Sequence, residues 1–155
     1  MTKLTKASEA INKEYSNIFN QIYNSNELSN PADINIYNRM KDSGYISNQN
    51  TIEINLVDHD LEELLTDESD KNAPLSKRFD LWPTWFSDLF EEMVHEFEDK
   101  IINDKLSSNG ELLATEYYRY VDENHGKSFF TAISEVAGRL SINAESLLFH
   151  LGRIR

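Results

Sequence analysis

The sequence predicts an α+β fold in a single domain spanning residues 1–155, and three observations carry that reading. A helical apolar stripe opens the chain, short alternating segments follow between residues 34 and 56, and helical spacings recur from residue 84 onward. In the first stretch Leu4, Ala7, Ile11, Tyr15, Ile18, Phe19, Ile22 and Tyr23 recur at steps of three and four, so a helix is expected over residues 4–26. Asn24, Ser25, Asn26, Ser29, Asn30 and Pro31 then supply breakers. Ile34 and Ile36, with Tyr37 beside them, alternate as a short strand, and Gly44 turns the chain. Tyr45-Ile46-Ser47, a polar Asn48-Gln49-Asn50 turn and Thr51-Ile52-Glu53-Ile54-Asn55-Leu56 read as a hairpin whose second strand sets Ile52, Ile54 and Leu56 on one face.

The run from Asp58 to Asp70 is acidic, with no Lys or Arg, and reads as a short helix near residues 59–65 leading into an exposed loop through Lys71 to Lys77. Trp82-Pro83-Thr84 is a helix start with Thr84 as N-cap, and Phe86, Phe90, Val94, Phe97 and Ile101 form an apolar stripe to residue 104. Ser107 to Gly110 interrupt it. Leu113, Tyr117 and Val121 mark another helix, Asn124-His125-Gly126 break the chain again, Phe129, Ile133, Val136 and Leu140 mark a further helix, and Leu147, Leu148 and Leu151 a last one. No internal repeat or long heptad run is present.

The 155 residues suit one core of ordinary size. A balance of 15 Lys+Arg against 27 Asp+Glu gives a net charge of -12, which repels a phosphate backbone and makes a basic protein the complementary partner. Direct nucleic-acid binding is therefore not expected. No stretch approaches the ~18 apolar residues of a membrane span. Met1 to Lys6 lead into a polar amphipathic segment and not an apolar signal core, so secretion is not expected. The absence of cysteine removes disulfides and thiolate nucleophiles and fits a cytoplasmic protein. Neither a Gly-rich phosphate loop nor a Ser-His-Asp arrangement can be read.

On the helix from residue 84, the face opposite the apolar stripe carries Glu92, His95, Glu96, Asp99 and Asn103. His95 and Asp99 are four apart, so both side chains can reach a common ion, as the two ligands of an H-E-x-x-H helix do. Glu96, directly after the first ligand, stands where a general base would. His125, opening a new element beside a glycine, is the best candidate for the third ligand. Two imidazoles and one carboxylate, with a fourth position open, match the ligand types of catalytic zinc sites. The same helix residues also suit the solvated stripe of an amphipathic helix.

Other residues have simpler readings. His59 among acids reads as solvated surface, and His150 as a packing or surface residue. Trp82 and Trp85 read as core before groove lining, and Tyr117, Tyr118 and Tyr120 as helix packing before oxyanion donors.

Three short segments, Gly44-Tyr45-Ile46 with Thr51-Ile52-Glu53-Ile54-Asn55, Phe90-Glu91-Glu92-Met93-Val94-His95-Glu96, and His125-Gly126-Lys127-Ser128-Phe129-Phe130, give the chain a resemblance to the SprT-like zinc metallopeptidases over residues 40–140. The resemblance implies a small zincin-like fold, with His95 as first metal ligand, Glu96 as general base, His125 as third ligand, and the strand Thr51 to Leu56 as an edge that receives a protein or peptide substrate. Where the family has its second histidine, this chain has Asp99. A carboxylate there can still ligate zinc, would raise the pKa of water on the ion, and would suit manganese or iron better than the usual site does. A weaker likeness, of Glu111-Leu112-Leu113-Ala114-Thr115 and the segment from Ile133 to Leu147, is to the ImmA/IrrE metallopeptidases, and would give the third ligand to Glu111 instead of His125. The alternative to hydrolysis is a non-catalytic acidic protein with a degenerate peptidase fold, presenting its charge to a basic partner such as the nucleic-acid groove of a nuclease.

Overall fold

The computed structural model describes residues 2–27, 29–67, 75 and 83–155. Thr2 caps the first helix, α1 (Lys3–Ile22), by accepting the Thr5 amide at 3.1 Å, and the predicted stripe turns Ala7, Ile11, Tyr15, Ile18 and Ile22 into the core. The helix stops a turn short of the expected end. Tyr23 is already extended, its ring stacks on Phe19 with centroids 4.1 Å apart, and the Glu27 carboxylate accepts the Asn24 amide at 2.7 Å. That side-chain capture offers the backbone an alternative to another helical turn.

Strands β1 (Asp33–Asn38), β2 (Gly44–Ile46) and β3 (Thr51–Leu56) form a mixed sheet in the order β1-β3-β2. β2 and β3 are the predicted hairpin, with Tyr45 opposite Ile52, joined by a 3-10 turn at Ser47–Gln49 and by Asn50 in the left-handed region at φ 46°. β1 returns parallel to β3 on its other side, Ile36 opposite Ile54. β3 is therefore the central strand and not the open edge that the resemblance implied. Covered on both sides, it buries Thr51 and Asn55 as well as Ile52, Ile54 and Leu56. The edge beside the candidate site is β2.

Helix α2 (Asp58–Thr66) buries Leu61 and Leu64. The loop expected after it lies, apart from Leu75, outside the described residues, as does Trp82. Helix α3 (Thr84–Phe97) is the axis of the core: Trp85, Phe86, Leu89, Phe90, Met93, Val94 and Phe97 are all fully buried. Its N-cap is Pro83 and not the expected Thr84, which is the first helical residue. Glu92 and Glu96, expected on a solvated stripe, are buried too, because this helix packs against the sheet, α2 and the helix over residues 127–140, and Tyr15 of α1 reaches Glu96. Past Phe97 the helix widens into one π-helical turn, Glu98–Ile102, closed by the Asn103 amide on the Glu98 carbonyl at 2.9 Å. The wider turn makes Ile102 the buried residue and leaves Ile101 only partly covered.

Helix α4 (Ser108–Glu116) is capped by Ser107, which accepts the Gly110 amide at 3.0 Å. The helix predicted through Val121 ends instead at Glu116, and a 3-10 turn at Tyr118–Tyr120 follows, leaving Val121 exposed. Helix α5 (Lys127–Leu140) buries Phe129, Phe130, Ile133 and Val136, and α6 (Ala144–His150), capped by Asn143, buries Leu147 and Leu148. The protein is thus α+β, with six α-helices and one three-stranded sheet among the described residues. No helix among those residues is long and apolar enough to cross a membrane.

One ion pair fastens the turn after α1 to α5. Arg139 donates through both terminal nitrogens to Glu27, the second at 2.8 Å, while its guanidinium lies 5.0 Å from the Phe97 ring centroid. Those hydrogen bonds hold the Glu27 carboxyl below its ordinary value of 4.5. A lowered carboxylate pKa stabilises fully above the unfolded value and loses that contribution as pH falls through the folded one. Glu27→Gln is therefore expected to lower the urea-unfolding free energy at neutral pH by about 1–2 kcal/mol, and to flatten the acid side of the stability profile below about pH 4.5.

Candidate metal centre

Helix α3 carries the site on the stripe its apolar residues leave free. Asp88, Glu91, Glu92, His95 and Glu98 follow at three- and four-residue steps and line a cleft of about 810 Å³, with the β2 edge on one side and the turn before α5 on the other. That turn delivers His125. Asp122 shapes it by accepting the amides of Asn124 and His125, each at 2.9 Å, and meets the His125 ring Nδ1 at 2.8 Å.

The two imidazoles are held alike. An ionised carboxylate only accepts, so Asp122 fixes the Nδ1 proton of His125, and Glu98, 3.0 Å from Nδ1 of His95, does the same there. In each ring Nε2 is then the nitrogen that can bind a ligand, and that of His125 lies 3.4 Å from a terminal nitrogen of Arg153. Their centroids are 5.1 Å apart, and the ring of Phe129 lies 4.8 Å from each. Glu91, one turn before His95, completes the set: its Oε2 is 3.9 Å from Nε2 of His125, and one ligand atom from each of the three residues lies within 4.8 Å of the others. Glu91, His95 and His125 could hold a metal ion. The donor set, two imidazole nitrogens with their other nitrogens tied to carboxylates plus one carboxylate oxygen, fits zinc and its harder neighbours manganese and iron.

Charge in the cleft is one-sided. Asp42, Asp88, Glu98, Asp99, Asp104 and Glu123 surround the group together with Glu92, and Arg153 is the one Lys or Arg among the described residues that line it. Burial pushes the Glu92 carboxyl up to about 7, with Glu91 and Asp88 adding to the rise against the pull of the two histidines. Asp88 is raised to about 6, by burial first and then by Asp60, Glu91 and Asp42. Glu91 and then Asp122 hold the His125 imidazole above its ordinary value against the effect of burial.

The structure thus brings His95 and His125 together and puts neither Asp99 nor Glu96 with them. Asp99 stands on the exposed rim, where its Oδ2 accepts the Tyr45 hydroxyl at 3.1 Å. The π-helical turn is the reason: at more than four residues per turn, position 99 no longer stacks over position 95. Glu96 points the other way, into the seam between α3 and α1. It is fully buried, accepts the Tyr15 hydroxyl at 2.9 and 2.8 Å, and pairs with Lys100. Tyr15 in turn accepts the Ala32 amide at 2.8 Å. Burial raises the Glu96 carboxyl, and Lys100 and Tyr15 offset part of that rise.

The group that could hold an ion uses a pair one turn earlier than the pair singled out in the sequence, with Glu91 where Asp99 was expected. Glu91-Glu92-Met93-Val94-His95 has the same four-residue spacing, with a glutamate directly after its first member, and Glu92 lines the cleft while Glu96 does not. Reading backward from His95 as well as forward would have found it. Glu111, in the first turn of α4, is exposed and does not line the cleft. His59 is exposed beside Glu63, Trp85 is core, and Tyr117, Tyr118 and Tyr120 stand away from the cleft. No family model, curated protein or solved structure matches this chain.

Proposed function

We propose that this protein is a metal-dependent peptidase, of the kind its SprT-like resemblance implies, in which Glu91, His95 and His125 are the ligands and Glu92 is the general base. One observation carries the reading: two histidines from separate elements, each with Nδ1 tied to a carboxylate, gather with Glu91 so that one ligand atom of each lies within 4.8 Å of the others. A divalent ion bound there would supply Lewis-acid polarisation of water and of the scissile carbonyl. Glu92 lies on the same helix face, nearly dry, and its carboxylate is poised to take a proton near neutral pH. The surrounding carboxylates favour a Lys- or Arg-rich peptide as substrate.

The test is metal content on tag-free protein stripped with chelator and titrated with zinc, manganese or iron(II), together with cleavage of unstructured peptides that are Lys-rich or Glu-rich. Near-stoichiometric metal that falls at least ~10-fold in affinity in His125→Ala, and preferential cleavage of the basic peptide, are expected. Protein that stays metal-free at saturating ion sinks the proposal. The Glu91–Arg153 ion pair favours a second reading, an acidic binding protein for a basic partner; its mark is salt-sensitive binding without proteolysis.

A further inference from the structure

The cleft that gathers so much negative charge already holds one cation of its own. The chain leaves α6 through a tight cap in which the Gly152 amide bonds the Phe149 carbonyl and the Arg153 amide bonds the Leu148 carbonyl, both at 2.9 Å, with Gly152 left-handed at φ 71°. Leu151 and Ile154 are buried on either side, so the backbone of Arg153 is pinned and its side chain aimed into the cleft. There Nε lies 2.8 Å from Oε1 of Glu91, and one terminal nitrogen lies 3.3 and 3.4 Å from the two ring nitrogens of His125. The guanidinium therefore touches two of the three candidate ligands.

We propose that Arg153 is a tethered competitor of the metal, occupying Glu91 and His125 until an ion displaces it, and so sets how tightly the site loads. This rests on the Glu91–His95–His125 reading and adds to it a determinant of occupancy. A ligand set that is free only part of the time binds with an affinity reduced by that fraction, and removing the competitor restores it. Glu91 would exchange one cation for another, so that loading releases the Arg153 side chain from the cleft.

The experiment is zinc titration of wild-type protein, Arg153→Ala and Arg153→Lys against a chelating dye, with far-UV circular dichroism on each metal-free protein to establish folding. Arg153→Ala is expected to bind zinc about 10–100-fold more tightly than wild type. Arg153→Lys separates contact from simple charge repulsion. It keeps the charge but cannot bridge Glu91 and His125 with one planar fork, so its affinity should approach that of Arg153→Ala. Wild-type affinity in Arg153→Ala overturns the proposal and leaves the metal site standing, and wild-type affinity in Arg153→Lys overturns displacement in favour of repulsion alone. Zinc taken up by Arg153→Ala but not by wild type supports both readings. If neither folded protein binds zinc, both fall.

Discussion

Glu92→Gln is expected to cut peptide hydrolysis roughly 10²–10⁴-fold while leaving zinc affinity within a few-fold of wild type. The amide keeps the shape of a side chain that is 6% exposed and removes its charge and its capacity to take a proton. Among the described residues nothing donates a hydrogen bond to Glu92, so the exchange breaks no network. With burial raising its carboxyl to about 7, the base is ionised above that pH, and activity should rise with pH through that region in wild type and not in the variant. A bound dication would draw the midpoint downward. The companion variant Glu96→Gln separates the two candidate bases. It leaves Lys100 without its buried counter-charge, so the expected loss is stability, about 2 kcal/mol by urea unfolding, with turnover per folded molecule retained. Retained hydrolysis in Glu92→Gln, with loss of turnover in folded Glu96→Gln, would reverse the assignment.

Gly110→Ala should destabilise the fold by about 3 kcal/mol or more, a fall of roughly 6–12 °C in melting temperature for a chain of this length. Gly110 sits in the first turn of α4, where a methyl group would stand 2.7 Å from Cβ of Thr131 and closer still to its backbone. Thr131 has no room to yield: it is 2% exposed in the middle of α5, and its hydroxyl accepts the Ser107 amide at 3.3 Å. The two helices would have to part. Gly138→Ala is the control, since nothing lies within 4 Å of its added methyl; there the better helix propensity of alanine should stabilise by up to about 1 kcal/mol. Thermal melts of both variants decide it, and a Gly110→Ala melt within error of wild type would refute the close approach.

The elements were legible wherever periodicity reports burial. The stripes of α1, α3 and α5 and the alternation of Ile52, Ile54 and Leu56 specify their own contacts, and the α+β class follows from their order. What escaped depends on energies that no spacing encodes. The parallel return of β1 is a long-range choice, and it converts β3 from an edge into a centre. The π-helical turn is a local widening without a sequence signature, yet it separates Asp99 from His95. Glu96 looked solvated because polar residues usually are. Lys100 lies within reach four residues on, but Tyr15, which buries the pair, arrives from α1 only in the folded chain. Arg153 was invisible for a similar reason: its role lies in where a cap points it.

Phe129 serves the centre without any chemistry of its own. Because a single core aromatic underlies both imidazoles, their separation is inherited from hydrophobic packing. Unlike a zinc finger, which collapses around its ion, this chain should keep its cooperative fold when chelators empty the pocket, and reloading should be a matter of diffusion and side-chain exchange with no refolding.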